Sequence, residues 1–405
     1  MMTLLFVSLA VASAADVIGP GKAALDYEIK LTTPREEFDG TFCWFLPRVA
    51  AIPSAGKDGQ PAVIMTLQKH LLPADDYYSG LFVMRSDDLG ATWTNPEPRS
   101  ELGWRTEPGG ITWAVCDVTP GWHAQTGKVL AIGNTVRYKQ GRLAPLPCPR
   151  DTAYAVYDPK ANTWSTWQLL KMPEDEKFYN AGAGCAQWIV EPDGTLLVPL
   201  YTAPKSNDWN ACYMATVMHC AFDGLTLRYL AHGDEITIDI PRGCYEPSIT
   251  KFRGKYYLTI RNDERGYVTR GDDGLHFAAI KPWTLDDGSD LGSYNTQQHW
   301  VTHTDALFLT YTRRGANNDD IYRHRAPMFT AQVDPDRLCV LRATEREILP
   351  NRGATLGNFG VCNVTENETW VTDAEGMFFP DVYKKHGAKG AVFVARLLWS
   401  KPNRP

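Results

Sequence analysis

A short apolar strand, a turn rich in Gly and Asp, and a second alternating strand recur along this chain, and this repeat constrains the fold most. The clearest copy occupies residues 188–201 and reads WIVEPDGTLLVPLY. Similar copies begin near residues 52, 121, 247, 300 and 361. Six copies separated by about 50 to 70 residues indicate an architecture built from repeated structural units.

Each unit is dominated by short strands with period-two alternation, bounded by Gly, Asp, Asn and Pro, and no amphipathic helix of three or more turns is evident. Such a unit is long enough for four antiparallel strands with long loops. The sequence therefore predicts an all-β fold, a six-bladed β-propeller of four-stranded antiparallel blades, because radial repetition leaves only short, protected strand edges. A β-sandwich or a right-handed β-helix is the alternative.

The amino terminus has the pattern of an export signal. Residues 1–15 read MMTLLFVSLAVASAA, an apolar run that ends in the small residues favoured by signal peptidases, although no Lys or Arg precedes the run. We predict a signal peptide over 1–15, a single domain over 16–405, and a secreted or periplasmic protein. No later stretch approaches the 18 apolar residues of a spanning helix, so no membrane association is expected.

Charge and motifs exclude several classes of partner. The net charge is −6 and the 41 Lys and Arg residues are scattered, which argues against nucleic acid. No metal-site, phosphate-loop or dinucleotide motif occurs, so neither a metal nor a cofactor is predicted. The nine cysteines include no CxxC pair, and we interpret most of them as small buried hydrophobic residues. The oligomeric state stays open.

Residues 86–93 carry the most specific motif of the chain. They read SDDLGATW and match all five defined positions of the pattern S-x-D-x-G-x-T-W, the Asp box of BNR-repeat propellers. In such a hairpin turn Asp88 accepts backbone N–H bonds, Gly90 supplies a positive φ, and Trp93 packs beneath the blade. The chain thus resembles the sialidase superfamily, which implies a propeller that acts on carbohydrate.

The resemblance also implies candidate site residues in the first blade. Members of the family carry an arginine in a short segment near the mature amino terminus, and Arg48 in FLPRVAAIP is similar. They also carry an acid/base aspartate on a loop shortly before the first Asp box. Asp75 and Asp76 precede the motif here and are the candidates for that proton donor.

Two further features of the family lie in later blades. A glutamate is followed about fifteen residues later by an arginine, and Glu246 and Arg261 have this spacing. A third arginine follows about sixty residues on, where Arg323 and Arg325 are available. The spacing of Glu246 and Arg261 is the best match of the set, and only this pair and the Asp box are specific.

The resemblance implies a separate role for each of these residues. Arg48, Arg261 and Arg325 would hold a sugar carboxylate through charge-assisted hydrogen bonds, which the planar guanidinium suits better than an ammonium. Asp76 would protonate the glycosidic oxygen, and Glu246 would activate a nucleophile. The leading prediction is an exo-acting, sialidase-like glycoside hydrolase whose substrate is an acidic oligosaccharide or polysaccharide.

One position departs from the family pattern. The region where the tyrosine nucleophile is expected contains Phe359, which has no hydroxyl group to attack with. Tyr245, beside Glu246, and Tyr294 are possible substitutes.

Histidines offer a second mechanism. In related propellers that act on uronate or rhamnose polysaccharides a histidine serves as acid/base, and His299 or His123 would fill that role in a polysaccharide lyase or glycosidase. A third reading is a non-catalytic propeller that binds glycans. Aromatic side chains near loops are candidates for stacking on sugar faces: Trp104, Trp113, Trp122, Trp209 and Trp300.

Overall fold

The computed structural model describes residues 24–404, so the predicted signal peptide over 1–15 lies outside the described residues. Within that range the chain forms 29 β-strands and one α-helix, α1 (Pro380–His386), with a few single 3-10 turns. No helix among the described residues is long and apolar enough to cross a membrane. The fold is therefore all-β in this range, as the alternating pattern predicts.

The strands form six antiparallel sheets over residues 24–404. The chain enters through β1 (Tyr27–Glu36), which belongs to the sixth sheet. The first sheet contains β2 (Phe42–Ile52), β3 (Ala62–Leu71), β4 (Phe82–Ser86) and β5 (Glu97–Pro98). The second contains β6 (Arg105–Glu107), β7 (Ile111–His123), β8 (Lys128–Lys139), β9 (Arg142–Leu143), β10 (Thr152–Asp158), β11 (Thr163–Trp164) and β12 (Gln168–Leu169).

The third sheet contains β13 (Asn180–Gly182), β14 (Ile189–Val190), β15 (Leu196–Ala203), β16 (Met214–Phe222) and β17 (Leu227–His232). The fourth contains β18 (Tyr245–Phe252), β19 (Lys255–Arg261), β20 (Tyr267–Gly271) and β21 (Lys281–Pro282). The fifth contains β22 (His299–Thr302), β23 (Leu307–Thr312), β24 (Met328–Asp334), β25 (Cys339–Val340) and β26 (Arg346–Leu349). The sixth contains β27 (Gly360–Thr365), β28 (Glu368–Ala374) and β29 (Ala391–Trp399), with β1 at its edge.

Five of these sheets are blades of strands that are consecutive in sequence, one fewer than the six predicted blades. The sixth sheet instead joins the two ends of the described chain, because β1 pairs with β29 from Tyr27 opposite Trp399 to Glu36 opposite Ala391. The prediction of four strands in every blade is wrong, since the sheets contain four to seven strands. The extra strands are short pieces of the long loops, which a repeat search does not register.

The sheets are arranged around a common centre like the blades of a propeller. Strand β2 contacts β7 on one side and β27 on the other. The second sheet meets the third through β8, β10 and β13, and contacts continue from β15 to β18, from β18 to β22 and from β22 to β27. The ring is thereby closed, which brings the starts of distant strands together at the centre.

Apolar layers between neighbouring sheets form the core. Successive side chains of a strand point to opposite faces of its sheet. In β2, Ala50 and Ile52 pack with the second sheet, whereas Val49 and Ala51 pack with the sixth. Every residue of β2 is consequently buried, which explains why an inner strand has little polar alternation.

The motif at residues 86–93 forms a tight turn after β4. Asp88 Oδ1 accepts the N–H of Thr92 at 2.8 Å, and Gly90 adopts a φ of +77°. A Cβ at Gly90 would lie 2.9 Å from the ring of Trp370 in β28, so the turn packs closely against the sixth sheet. The requirement for Gly here is both conformational and steric.

None of the nine cysteines forms a disulfide in this structure. Six are buried, Cys212 is exposed, and Cys148 and Cys362 are intermediate. Most of them therefore occupy the small apolar positions expected from the sequence.

Candidate functional site

A residue with left-handed backbone marks the inner edge of each sheet near the centre. In β2, β7 and β18 this residue coincides with a shift in strand register, which is typical of a β-bulge. Bulges re-aim side chains at the cost of local backbone strain, and they often occur beside functional sites. These residues are Leu46, Asp117, Cys185, Glu246, Asn295 and Gly357, with φ between 41° and 101°.

Two of the predicted arginines converge near the centre. Arg261, at the end of β19, donates from Nη1 to Glu246 Oε2 at 2.7 Å and from Nη2 to Asn295 Oδ1 at 2.9 Å. Arg325 Nη2 lies 3.5 Å from that same Asn295 Oδ1 and also donates to the Asn295 carbonyl. The structure therefore brings Glu246, Arg261 and Arg325 together.

The charges in this cluster are incompletely matched. The Nε atoms of Arg261 and Arg325 are buried and have no hydrogen-bond partner among the described residues. Burial, together with the positive charges of Arg261 and Arg323, lowers the pKa of Arg325 to about 10. For Arg261 the carboxylates of Glu246 and Asp263 outweigh burial and raise the pKa. Such a pair of guanidinium groups has the chemistry to hold an anion.

Arg48 is the third predicted arginine, and it is almost completely buried at 1% exposure. Its Nε donates to the Phe359 carbonyl at 2.9 Å, and its Nη2 lies 3.4 Å from both Cys185 Sγ and Gln297 Oε1. Although burial opposes ionisation, Cys185, Asp117 and Glu246 raise its pKa. Arg48 thus cross-links several sheets, and its charge lies close to the same Glu246 that pairs with Arg261.

The two candidate proton donors lie on the loop between β3 and β4. Asp76 accepts a hydrogen bond from the Tyr78 hydroxyl at 2.8 Å, whereas Asp75 is exposed. Desolvation and the neighbouring Asp76 raise the pKa of Asp75, while Arg323 and Arg325 oppose the shift. The loop therefore lies within electrostatic reach of the arginine pair. Arg323 is partly exposed beside it.

A group of tyrosines around Arg150 adjoins the arginine pair, and sequence reasoning missed most of it. The ring of Tyr245 lies 4.1 Å from that of Tyr201 and 4.9 Å from that of Tyr213. Arg150 Nη1 donates to the Tyr201 hydroxyl at 3.4 Å. Burial raises the pKa of Tyr245 to about 12 against the opposing charges of Arg150 and Arg242. No motif marks Arg150, which precedes β10 in a loop.

Asp117 also belongs to this centre and was missed. Its left-handed backbone follows from the bulge in β7, which the sequence pattern does not reveal. Burial raises the pKa of its carboxyl group, while the charges of Arg48 and Arg150 oppose the shift. The Asp117 carboxyl group therefore lies within electrostatic reach of both Arg48 and Arg150, the arginine of the tyrosine group.

The two candidate histidines have structural surroundings. His299 is buried, its Nδ1 lies 2.8 Å from Ser248 Oγ, and burial together with Arg48 keeps its pKa well below the usual range. His123 ends β7, where Nε2 donates to the Gly194 carbonyl at 2.9 Å. His123 contacts Thr126, Gly194 and the ring of Phe222, so the structure does not bring it to the arginine pair.

Phe359 is completely buried in the position where a tyrosine was expected. Its ring packs against His299 with a centroid distance of 4.6 Å, and its carbonyl accepts hydrogen bonds from Arg48 and Gln297. The other candidate, Tyr294, has its hydroxyl 2.6 Å from His324 Nδ1. Among residues 24–404 no three His, Cys, Asp or Glu side chains are grouped as a metal site requires.

A closed ring of sheets around a cluster of arginines and carboxylates defines a propeller-like protein. No family model and no curated protein matches the sequence. Solved structures do match. A protein of unknown function from Dyadobacter fermentans DSM 18053 aligns with a TM-score of 0.61 and 16% identity, covering 92% of this chain and 99% of that one.

Sialidases are among the other matching structures. Trypanosoma rangeli sialidase aligns with a TM-score of 0.55 and 16% identity over 90% of this chain and 57% of its own. The NanB sialidase of Streptococcus pneumoniae aligns with a TM-score of 0.60 and 10% identity over 91% of this chain and 70% of its own. The protein therefore has a sialidase-like fold.

Proposed function

We propose that this protein is an exo-acting glycoside hydrolase that binds a terminal sugar through the carboxylate of that sugar. The observation that carries the proposal is the convergence of Arg261 and Arg325 on Asn295, with both buried Nε atoms unpartnered. A carboxylate placed against them would satisfy these donors and reduce the repulsion between the two cations. The sialidase-like fold supports a glycosidase-type activity.

The remaining residues of the cluster supply the other roles in this proposal. Asp75 takes the role of proton donor to the leaving oxygen in place of Asp76, because Asp75 is exposed whereas Asp76 accepts a hydrogen bond from the Tyr78 hydroxyl. Asp76 is held by Tyr78 and orients that loop. Glu246 holds Arg261 and lies beside Tyr245, whose ring centroid lies 5.4 Å from the Arg261 guanidinium. Tyr245 is the proposed nucleophile or the orienter of an attacking water.

Two broader features belong to the same proposal. The sheet formed by β27, β28, β29 and β1 acts as a sixth blade, closed by the pairing of the two ends of the described chain. Export to the periplasm or the exterior is proposed from the pattern of residues 1–15.

A second candidate, a propeller that binds acidic glycans without cleaving them, is favoured by Phe359. A buried phenylalanine at the expected nucleophile position leaves the binding cluster intact and removes the usual chemistry. A lyase has less support, because His299 and His123 are each buried and hydrogen bonded away from the arginine pair.

The decisive experiment compares wild type with Arg261→Ala on a fluorogenic α-sialoside and on polygalacturonate. Release of the fluorophore by wild type and its loss in the variant supports the hydrolase. An unsaturated uronate product, detected by ultraviolet absorbance, would instead identify a lyase. Binding without any product, weakened by Arg261→Ala, would identify the glycan-binding protein. Unchanged turnover in the variant contradicts the proposed site.

A further inference from the structure

Each strongly exposed aromatic residue in residues 24–404 is linked by one or two contacts to a residue of the candidate site. Eight large apolar side chains are at least 39% exposed, and the four leucines among them lie on outer strands or a turn. Exposed apolar side chains that lie close to a polar cluster are typical of a binding surface. The four aromatic members, here called the aromatic rim, are Trp104, Trp209, Tyr322 and Phe379.

Trp104 adjoins the loop that carries the two aspartates. Its indole Nε1 donates to the Tyr78 carbonyl at 2.9 Å, and its ring stacks on Tyr77 with a centroid distance of 5.6 Å. Tyr78 in turn donates its hydroxyl to Asp76. One face of the Trp104 and Tyr77 pair is therefore fixed beside the proposed proton donors.

Tyr322 and Phe379 form a second aromatic pair beside the arginines. Their ring centroids are 4.8 Å apart, and 42% and 41% of these residues is exposed. The Arg323 guanidinium lies 4.7 Å from the Tyr322 ring. The Tyr322 carbonyl accepts the backbone N–H of Arg325 at 3.3 Å, so this aromatic pair adjoins the arginine pair.

Trp209 occupies a third position, beside the tyrosine group. Its carbonyl accepts a hydrogen bond from Arg242 Nη1 at 3.4 Å, and the Arg242 guanidinium lies 4.7 Å from the Tyr245 ring. Trp209 is 48% exposed, and Tyr245 precedes Glu246 directly. An exposed aromatic and an arginine thus stand together here, as they do at Tyr322 and Arg323.

We propose that the aromatic rim binds the sugars that follow the terminal residue of an acidic oligosaccharide. Aromatic faces suit the apolar faces of sugar rings, and Arg323 and Arg242 suit carboxylates on neighbouring sugars. The alternation of rings and guanidinium groups therefore selects a chain of acidic sugars over a single sugar. This inference rests on the proposed function of the central cluster, whose substrate it specifies.

The test uses the full chain and compares Trp104→Ala, Trp209→Ala and Tyr322→Ala with wild type. The probes are a fluorogenic monosaccharide sialoside, a pentamer of α2,8-linked sialic acid, and a pentamer of galacturonic acid. Each rim variant should raise the dissociation constant for at least one pentamer about three- to tenfold, as loss of one aromatic contact predicts. The ratio of kcat/KM for the pentamer to that for the monosaccharide should fall by a similar factor.

Leu225→Ala is the matched control, because Leu225 is a highly exposed apolar residue in the turn between β16 and β17. It should leave affinity and turnover as in wild type. Wild-type affinity for both pentamers in all rim variants would overturn the inference, as would a wild type that binds neither pentamer. If Arg261→Ala abolishes turnover while the rim variants behave like wild type, only the inference about the aromatic rim is contradicted. If no probe is turned over but rim variants weaken pentamer binding, only the proposed hydrolase activity is contradicted.

Discussion

Arg261 and Arg325 point their guanidinium groups at one shared atom, the side-chain oxygen of Asn295, at 2.9 and 3.5 Å. Two like charges this close repel each other, and the lowered pKa of Arg325 reflects both its burial and that repulsion. An anionic ligand offsets this repulsion while it is bound, whereas substitution of one arginine removes the repulsion permanently. Ligand affinity and protein stability should therefore respond in different ways to the same substitution.

Arg325→Gln should strongly weaken the binding of an acidic sugar and should lower the free energy of unfolding only slightly. Loss of a charged hydrogen bond is worth about 1.5–3 kcal/mol, which corresponds to a roughly 10- to 150-fold lower kcat/KM or affinity. Steady-state kinetics or calorimetry with a sialoside measures this, and thermal unfolding without ligand measures stability. A variant that unfolds much more easily yet binds sugar normally would show that Arg325 is only structural.

Glu246→Gln should impair both stability and activity, because Glu246 and Arg261 form an ion pair with side chains only 11% and 10% exposed. Breaking a buried pair costs about 3–5 kcal/mol by leaving one charge uncompensated. Glu368→Gln is the control, since Glu368 pairs with Arg396 at similar burial in the sixth sheet. Denaturant unfolding should show losses for both variants, and turnover measured on folded protein should fall only for Glu246→Gln.

Asp75→Asn should slow hydrolysis in a manner that depends on the leaving group. A general acid contributes about 10²- to 10⁴-fold when the leaving oxygen needs a proton, and much less when the leaving group is already acidic. Sialyllactose turnover should therefore fall far more than turnover of an activated aryl sialoside. Asp76→Asn serves as the comparison, because Asp76 is bonded to Tyr78. Equal losses on both substrates for Asp75→Asn would contradict the role of proton donor.

The spacing of Glu246 and Arg261 could be recognised in the sequence because the two residues lie in one hairpin. Strands β18 and β19 form a hairpin whose register places Tyr245 opposite Arg261, so the fifteen-residue spacing fixes the neighbours. The alternating strands and Gly-rich turns likewise specify a ring of sheets. The sixth sheet, which closes the ring, was harder to predict from the sequence, because β1 and β29 are separated by almost the whole chain.

Other parts of the site depend on ring closure and on bulges, which leave no signal in sequence. Asn295 and Arg150 lie in loops, and only the closed ring brings them to the centre. Arg48 is predicted to hold substrate, and the structure places it after the register shift from Phe45, with Nε donating to the Phe359 carbonyl. Backbone strain of this kind is a property of the assembled fold, not of a local pattern.

Stability should fall as the pH rises from about 4 to about 7, partly because of Asp373. Burial raises the pKa of this carboxyl group to about 7, although Gly357 N–H donates to it at 2.6 Å. In that window the folded state holds a proton that the unfolded state has released, so raising the pH lowers the free energy of unfolding. The contribution is up to about 4 kcal/mol above pH 7.

Asp373→Asn should flatten this dependence, because an amide does not titrate. Denaturant unfolding at several pH values between 4 and 8 measures the slope for both proteins. A residual slope is expected from Glu375, whose pKa burial also raises. Identical slopes in wild type and variant would show that Asp373 is ionised in the folded protein throughout the range.

Phe359→Tyr should fail to create a sialidase nucleophile, although it restores the residue expected from the family pattern. The Phe359 ring is completely buried in an apolar cluster that includes Leu356, Val371 and Phe393, so the new hydroxyl would meet apolar surroundings instead of substrate. An unsatisfied buried hydroxyl costs about 1–3 kcal/mol, which should appear as a lower free energy of unfolding with no rise in kcat. Tyr245→Phe tests the alternative, because Tyr245 lies beside Glu246 and within 5.4 Å of Arg261. A tenfold gain in kcat for Phe359→Tyr, with Tyr245→Phe fully active, would assign the nucleophile position to residue 359 after all.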